Sequence, residues 1–154
     1  MNETQLIKAP SLWTGDELAV REDLYVDFEK SHMSEIKNLA SVDSTKDTDI
    51  HGIFNRIRDF LEKGSGVVII KKLPISDLSL EEAKRLFLNI VSMIGTPVSQ
   101  SAKGELIFSV RDSGYADDDP RSRGPNTRKK LSFRSARCDV IGFLCLKKAI
   151  KGGE

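Results

Sequence analysis

The chain has 154 residues, 39% of them hydrophobic and 31% charged, with a formal net charge of +1. That length and balance suit one soluble globular domain with a real core. They exclude the strong overall field that would draw a protein to nucleic acid or to an anionic membrane, and no apolar run approaches the roughly 20 residues needed to span a bilayer.

Residues 1–12 lack the basic start and apolar stretch of a secretory leader. Cys138 and Cys145 match no zinc or redox spacing. On a shared strand their odd separation would turn them to opposite faces, so packed free thiols are expected rather than a disulfide. Free thiols without a leader predict a cytoplasmic setting.

The first forty-odd residues are weakly patterned. Leu24-Tyr25-Val26-Asp27-Phe28 alternates and reads as a strand. Ser34 is a candidate cap for a short helix through Ile36, Leu39 and Ala40, and residues 41–49 read as a polar loop. The next helix is clearer. Ile50, Ile53, Phe54, Ile57 and Leu61 fall on one face of a 3.6-residue period. Asp47, Thr48 or Asp49 can cap its start, and Gly64 in a left-handed conformation would end it.

Gly66-Val67-Val68-Ile69-Ile70 is a short β-branched run that suits a buried strand. Ser79-Leu80-Glu81-Glu82 is a capping box. The helix it opens carries Ala83, Leu86, Phe87, Ile90, Val91 and Ile94 as its apolar stripe, and Gly95 and Pro97 end it. Residues 106–110 and 140–146 are further strand candidates. Residues 112–130 are long, polar and contain Gly114, Pro120, Gly124 and Pro125, which predicts a loop, of a length that is usually functional or disordered. The order helix, strand, helix, several strands predicts an α+β domain with helices packed on a mostly antiparallel sheet. One domain over 1–154 is expected, with a poorly defined segment at about 1–45 and the patterned part at 46–154.

Few residues offer metal or acid–base chemistry. His32 and His51, the only histidines, have no ligand partner at metal-site spacing, and surface or capping roles are expected. Asp117-Asp118-Asp119 reads as a solvated acidic turn before Pro120. Arg121, Arg123, Arg128, Lys129, Lys130, Arg134 and Arg137 form a basic cluster. The Asp triplet offsets it and no aromatic is interleaved before Phe133, so nucleic-acid binding is not expected.

From Gly124-Pro125-Asn126 through Leu131-Ser132-Phe133-Arg134-Ser135-Ala136, the chain resembles the metal-binding strand of the taurine dioxygenase (TauD/TfdA) family of Fe(II)/2-oxoglutarate-dependent dioxygenases. The similarity continues through the hydrophobic run 140–146 to Gly152-Gly153-Glu154. Upstream, residues 66–73 resemble the family's early strand, and Ile94-Gly95-Thr96-Pro97 resembles its Gly-x-Pro element. The resemblance runs in order over residues 50–154. It implies a double-stranded β-helix, a jelly roll of the clavaminate synthase-like type, here only partial, with helices packed on the sheet. It also implies an oxidoreductase acting on a small-molecule substrate with Fe(II) and 2-oxoglutarate.

In that family the strand ends Leu-x-Phe-His-x-Asp. His and Asp two apart share one strand face and converge on one ion. Here Arg134 stands at the His position and Ala136 at the Asp position. Guanidinium has only N–H donors and stays charged, and alanine has no donor atom. Halogenases of the superfamily also carry a small residue at the Asp position, but they keep the His. The family's distal His and its cosubstrate Arg lie beyond the Gly-Gly-Glu segment, so the 154-residue chain is expected to lack them.

The resemblance therefore implies no intact catalytic or metal site, iron and 2-oxoglutarate not held by this chain, and Arg111 and Asn126 in a substrate or lid region. Two non-catalytic roles stand beside an inactive enzyme-like domain: a small-anion-binding module using Arg134, and an assembly module. In the second, unpaired strand edges would recruit another copy or a complementing chain.

Overall fold

The computed structural model describes residues 9–41, 50–112, 114–116, 118–121 and 138–148. The chain divides into two compact units, Met1–Thr96 with Leu146–Glu154, and Pro97–Cys145.

Among the described residues, the first unit holds all the regular elements: α1 (Gly15–Ala19), β1 (Tyr25–Asp27), α2 (Met33–Ser41), α3 (His51–Lys63), β2 (Ile69–Lys71) and α4 (Leu80–Ile94). Single 3₁₀ turns, Glu22–Leu24 and Lys30–His32, precede β1 and α2. Thr14 opens α1 through a capping box with Glu17, whose carboxylate accepts from the Thr14 N–H at 2.7 Å. The Thr-x-x-Glu spacing carries that signal in the sequence. The early strand is present. Ser34 is not a cap, however, because the preceding 3₁₀ turn carries the chain directly into α2 and places Ser34 inside the helix.

Helix α3 matches its apolar stripe, whereas in α4 the expected Phe87 and Val91 are only half-buried and Met93 takes a core place. In α3, Phe54 and Ile57 are buried. In α4, Ala83, Leu86, Ile90 and Met93 are buried. All of these but Ala83 meet Val26, Phe28, Ile36, Leu39, Ala40 and Ile50 in one core. Asn89 is the polar exception on α4. Its side-chain amide donates to the Leu39 carbonyl at 2.7 Å, and Arg85 donates to the Ala40 carbonyl at 3.2 Å. Both carbonyls belong to the last turn of α2, where helical partners run out.

The Ser79 box forms as expected. Ser79 N–H donates to the Glu82 carboxylate at 2.8 Å, and Glu82 N–H donates to Ser79 Oγ at 3.3 Å. The hydroxyl and backbone N–H of Ser79 hold the Glu82 carboxyl below its ordinary range. Ser79→Ala should cost about 0.5–2 kcal/mol of stability, measured as a shift in the urea midpoint at unchanged slope.

The end of α3 differs from expectation. Gly64 has φ −103°, not a left-handed value, and its N–H donates to the Phe60 carbonyl. The left-handed residue is Gly66, at φ 75°, whose N–H also donates to the Phe60 carbonyl. Gly64 is needed for closeness instead. A Cβ there would lie 2.5 Å from Asp23 Oδ2 and 2.7 Å from the Phe60 carbonyl oxygen. The expected caps Asp47, Thr48 and Asp49 lie outside the described residues. At the start of α3, Ile50 N–H reaches the Glu35 carboxylate at 3.4 Å.

The strand expected over 66–70 is shorter and shifted to Ile69–Lys71, and it is not fully buried: Ile69 is exposed and Ile70 half-buried. A run without polar interruptions suggests two covered faces. Alternation in β1, with Val26 buried between exposed Tyr25 and Asp27, shows one covered face. The two strands pair in parallel, Val26 opposite Ile70, and form the one sheet among the described residues.

In the second unit, residues 106–110 and 140–145 form no strand. Phe108 and Phe143 are 52% and 84% exposed. The β pattern is present in the sequence, but a strand also needs a partner's hydrogen bonds, and the described residues supply none to these segments.

Candidate functional site

Three of the four expected site residues, Arg134, Ala136 and Asn126, lie outside the described residues, as do Arg123, Arg128, Lys129, Lys130 and Arg137 of the basic cluster. Arg111 lies in the second unit, exposed and engaged in an interaction of its own.

In the second unit the expected acidic turn is structured. Asp112 accepts from Gly114 N–H at 2.9 Å. Arg121 holds Asp119 with two side-chain nitrogens, Nη2 to Oδ2 at 2.7 Å and Nε to Oδ1 at 3.0 Å. Its guanidinium also lies 4.2 Å from the centre of the Tyr115 ring. Asp119 is thus an ion-pair partner and not a freely solvated charge. The Arg121 side chain, followed by the Arg121 N–H, lowers the Asp119 carboxyl from its ordinary value. The Arg121 charge is spent within its own turn, which weakens any reading of the cluster as a phosphate contact.

In the first unit an open recess of about 450 Å³ lies beside the start of α4, lined by Leu73, Ile75, Ser76, Leu78, Ala83 and Leu146 among others. Its walls present polar and apolar surface in similar measure. The helix N-terminus next to it is already satisfied by Ser79 and Glu82, so no donor set converges there for an anion.

A different constellation, running from Pro10 to Ser65, ties the start of the described chain to the turn after α3. Arg21 clasps Asp23 with two bonds of 2.7 Å, Nε to Oδ1 and Nη2 to Oδ2. Asp23 Oδ2 also accepts from Ser65 N–H at 2.8 Å. The Ser65 carbonyl accepts from the Trp13 indole at 2.8 Å, and Arg21 reaches the Pro10 carbonyl at 3.1 Å. Donation from Arg21 above all, then from Ser65, holds the Asp23 carboxyl far below the ordinary range. No local motif announces this clasp; Arg21 and Asp23 stand two apart, a spacing with no signature of its own.

The histidines do not converge on a metal. His32 Nδ1 accepts from Glu29 N–H at 3.2 Å, and its ring stands edge-on to Phe28. His51 departs from the expected surface or capping role: its Nε2 is buried and has no hydrogen-bond partner among the described residues. Both cysteines are free and exposed, so the expected packing role does not hold. Among the described residues, no group of three His, Cys, Asp or Glu side chains could hold a metal ion, and no helix is long and apolar enough to cross a membrane.

No protein-family model matches the chain. A curated protein named FR-33289 synthase, from Streptomyces rubellomurinus (strain ATCC 31215), is 31% identical over 96 residues, 61% of this chain. The chain spans only 28% of that relative's length, so the similarity is to part of an enzyme named as a synthase.

Proposed function

We propose that the chain is a segment of an oxidoreductase-like domain related to the Fe(II)/2-oxoglutarate dioxygenases, with its metal pair replaced, and that it does not turn over alone. The observation that carries the proposal is the sequence Leu131-Ser132-Phe133-Arg134-Ser135-Ala136, set in an ordered series of motifs that resemble that family's. The partial similarity to a protein named as a synthase supports the enzyme-like part of the reading. The jelly-roll architecture and the small-molecule substrate come with the same proposal.

The residues do not fit the iron that the resemblance implies. Arg134 would bring a fixed positive charge to the cation, and Ala136 would bring no ligand atom. Among the described residues no other donor cluster substitutes for them. No catalytic step is therefore assigned to this chain.

The test is single-turnover incubation with Fe(II), ascorbate and 2-oxoglutarate. Succinate should not rise above a metal-free control, and clear succinate formation would overturn the proposal. Spectroscopic titration with Co(II) adds a readout independent of turnover. The wild-type chain should give no d–d band beyond that of aqueous Co(II). Arg134→His combined with Ala136→Asp should give one, because two ligands two residues apart on a strand face the same ion.

A further inference from the structure

We propose that the chain self-associates through residues 104–112, as an antiparallel strand pair with its two-fold axis at Phe108. This inference is independent of the dioxygenase-like reading, since it uses only the second unit.

A tight turn fixes where the segment begins. Gln100 N–H donates to the Glu105 carbonyl at 2.6 Å and Gly104 N–H to the Ser101 carbonyl at 3.0 Å, with Gly104 at φ 81°. Beyond the turn the chain has β-forming side chains but no β partner. Among the described residues, no backbone hydrogen bond is made by the N–H or carbonyl groups of residues 106–110. Leu106, Phe108 and Val110 are spaced two apart, which puts them on one face of an extended chain. They are 42%, 52% and 58% exposed. An unpaired edge with an apolar row is a template for a second strand.

The order of residues selects the partner. Read outward from Phe108, an apolar residue follows two positions away on each side, Leu106 and Val110. A charge follows at three positions, Glu105 on one side and Arg111 on the other. In an antiparallel pair about Phe108, Leu106 faces the second copy's Val110 and Phe108 faces its own counterpart. Glu105 faces Arg111, twice per dimer. Directly opposed apolar and oppositely charged residues stabilise such a pair.

The parallel in-register alternative would oppose Glu105 to Glu105 and Arg111 to Arg111, which is repulsive. The segment is thus complementary to itself in one orientation only. The Glu105 carboxylate already accepts from Ser101 Oγ at 2.7 Å, and Arg111 has an interaction within the chain. A carboxylate has about four acceptor sites and a guanidinium five donors, so both can also serve the new pair.

Sedimentation velocity over a concentration series tests this on the full chain. Wild type should show a monomer–dimer equilibrium. Glu105→Arg alone and Arg111→Glu alone should each weaken it by roughly tenfold or more, because like charges then face each other at both ends. An equimolar mixture of the two variants should restore dimer, since one chain then presents two cations to the other chain's two carboxylates. All these positions are exposed, so thermal melts of the variants should match wild type. A strictly monomeric wild type would overturn the proposal. So would association indifferent to the charge changes, or a mixture no more dimeric than its components.

Discussion

Phe54→Ala should remove about 3–5 kcal/mol of stability from the first unit. Phe54 is fully buried on α3, and its ring lies 6.1 Å from that of Phe28, which follows β1. It therefore joins the helix to the strand side of the core, with Ile36, Leu86 and Ile90 in the same cluster. Truncation loses the transfer energy of the ring and leaves a cavity that rigid helices fill only in part. Small domains are stable by about 5–15 kcal/mol in total, so the variant should be near its threshold. Urea unfolding followed by circular dichroism measures the loss. Phe54→Leu, which keeps most of the volume, should cost much less. A loss under about 1 kcal/mol for the alanine variant would mean that the helices do not meet at this residue.

Asp23→Ala should have the next largest effect, about 2–3 kcal/mol. The substitution strands three donors at once: the two Arg21 nitrogens and the Ser65 N–H. Gly64 lets this carboxylate sit so close to the end of α3. Trp13, the sole tryptophan, donates to Ser65, so its emission should shift to the red as the clasp loosens.

The pH dependence follows from the same geometry. The folded-state carboxyl is depressed below its unfolded value, with Arg21 donation the largest cause and the Ser65 N–H a further one. Its contribution is therefore complete above the unfolded value, near pH 4 for a free Asp, and is lost as pH falls from there through the folded value. Wild type should lose stability along that acid limb while Asp23→Ala shows a flatter one. Between about pH 5 and 8 the gap between the two proteins should be constant. Identical acid limbs would show that the carboxylate is not held in the folded protein.

Dimerisation through residues 104–112 would give the exposed apolar row of the second unit a partner without any change in the first. The two substitution sets are thus separable. Phe54 and Asp23 report on the stability of the first unit, whereas Glu105 and Arg111 report on association.

The chemistry at 134 and 136 is legible from side-chain identity alone, since no fold gives guanidinium or a methyl group a lone pair for iron. Helices α3 and α4 are legible for a related reason. A stripe at 3.6-residue spacing and the Ser79–Glu82 box are local, and every helical hydrogen bond closes within a few residues. Strands are not local. Residues 66–70 and 106–110 have similar β-branched and aromatic content, yet among the described residues only the first reaches a partner, because β1 offers Val26 opposite Ile70.

The two glycines after α3 show the same division. The sequence places a helix end at 64–66, but the approach of Asp23 from 41 residues earlier reserves Gly64 for space and leaves the left-handed turn to Gly66. The sequence by itself determined helices α3 and α4, the Ser79–Glu82 cap and the lack of metal donors at positions 134 and 136, all consequences of short-range geometry or atom type. Only the tertiary structure decided which β pattern became a strand, which glycine turned and which carboxylate was clasped, because each depends on a group brought close by the fold from far along the chain.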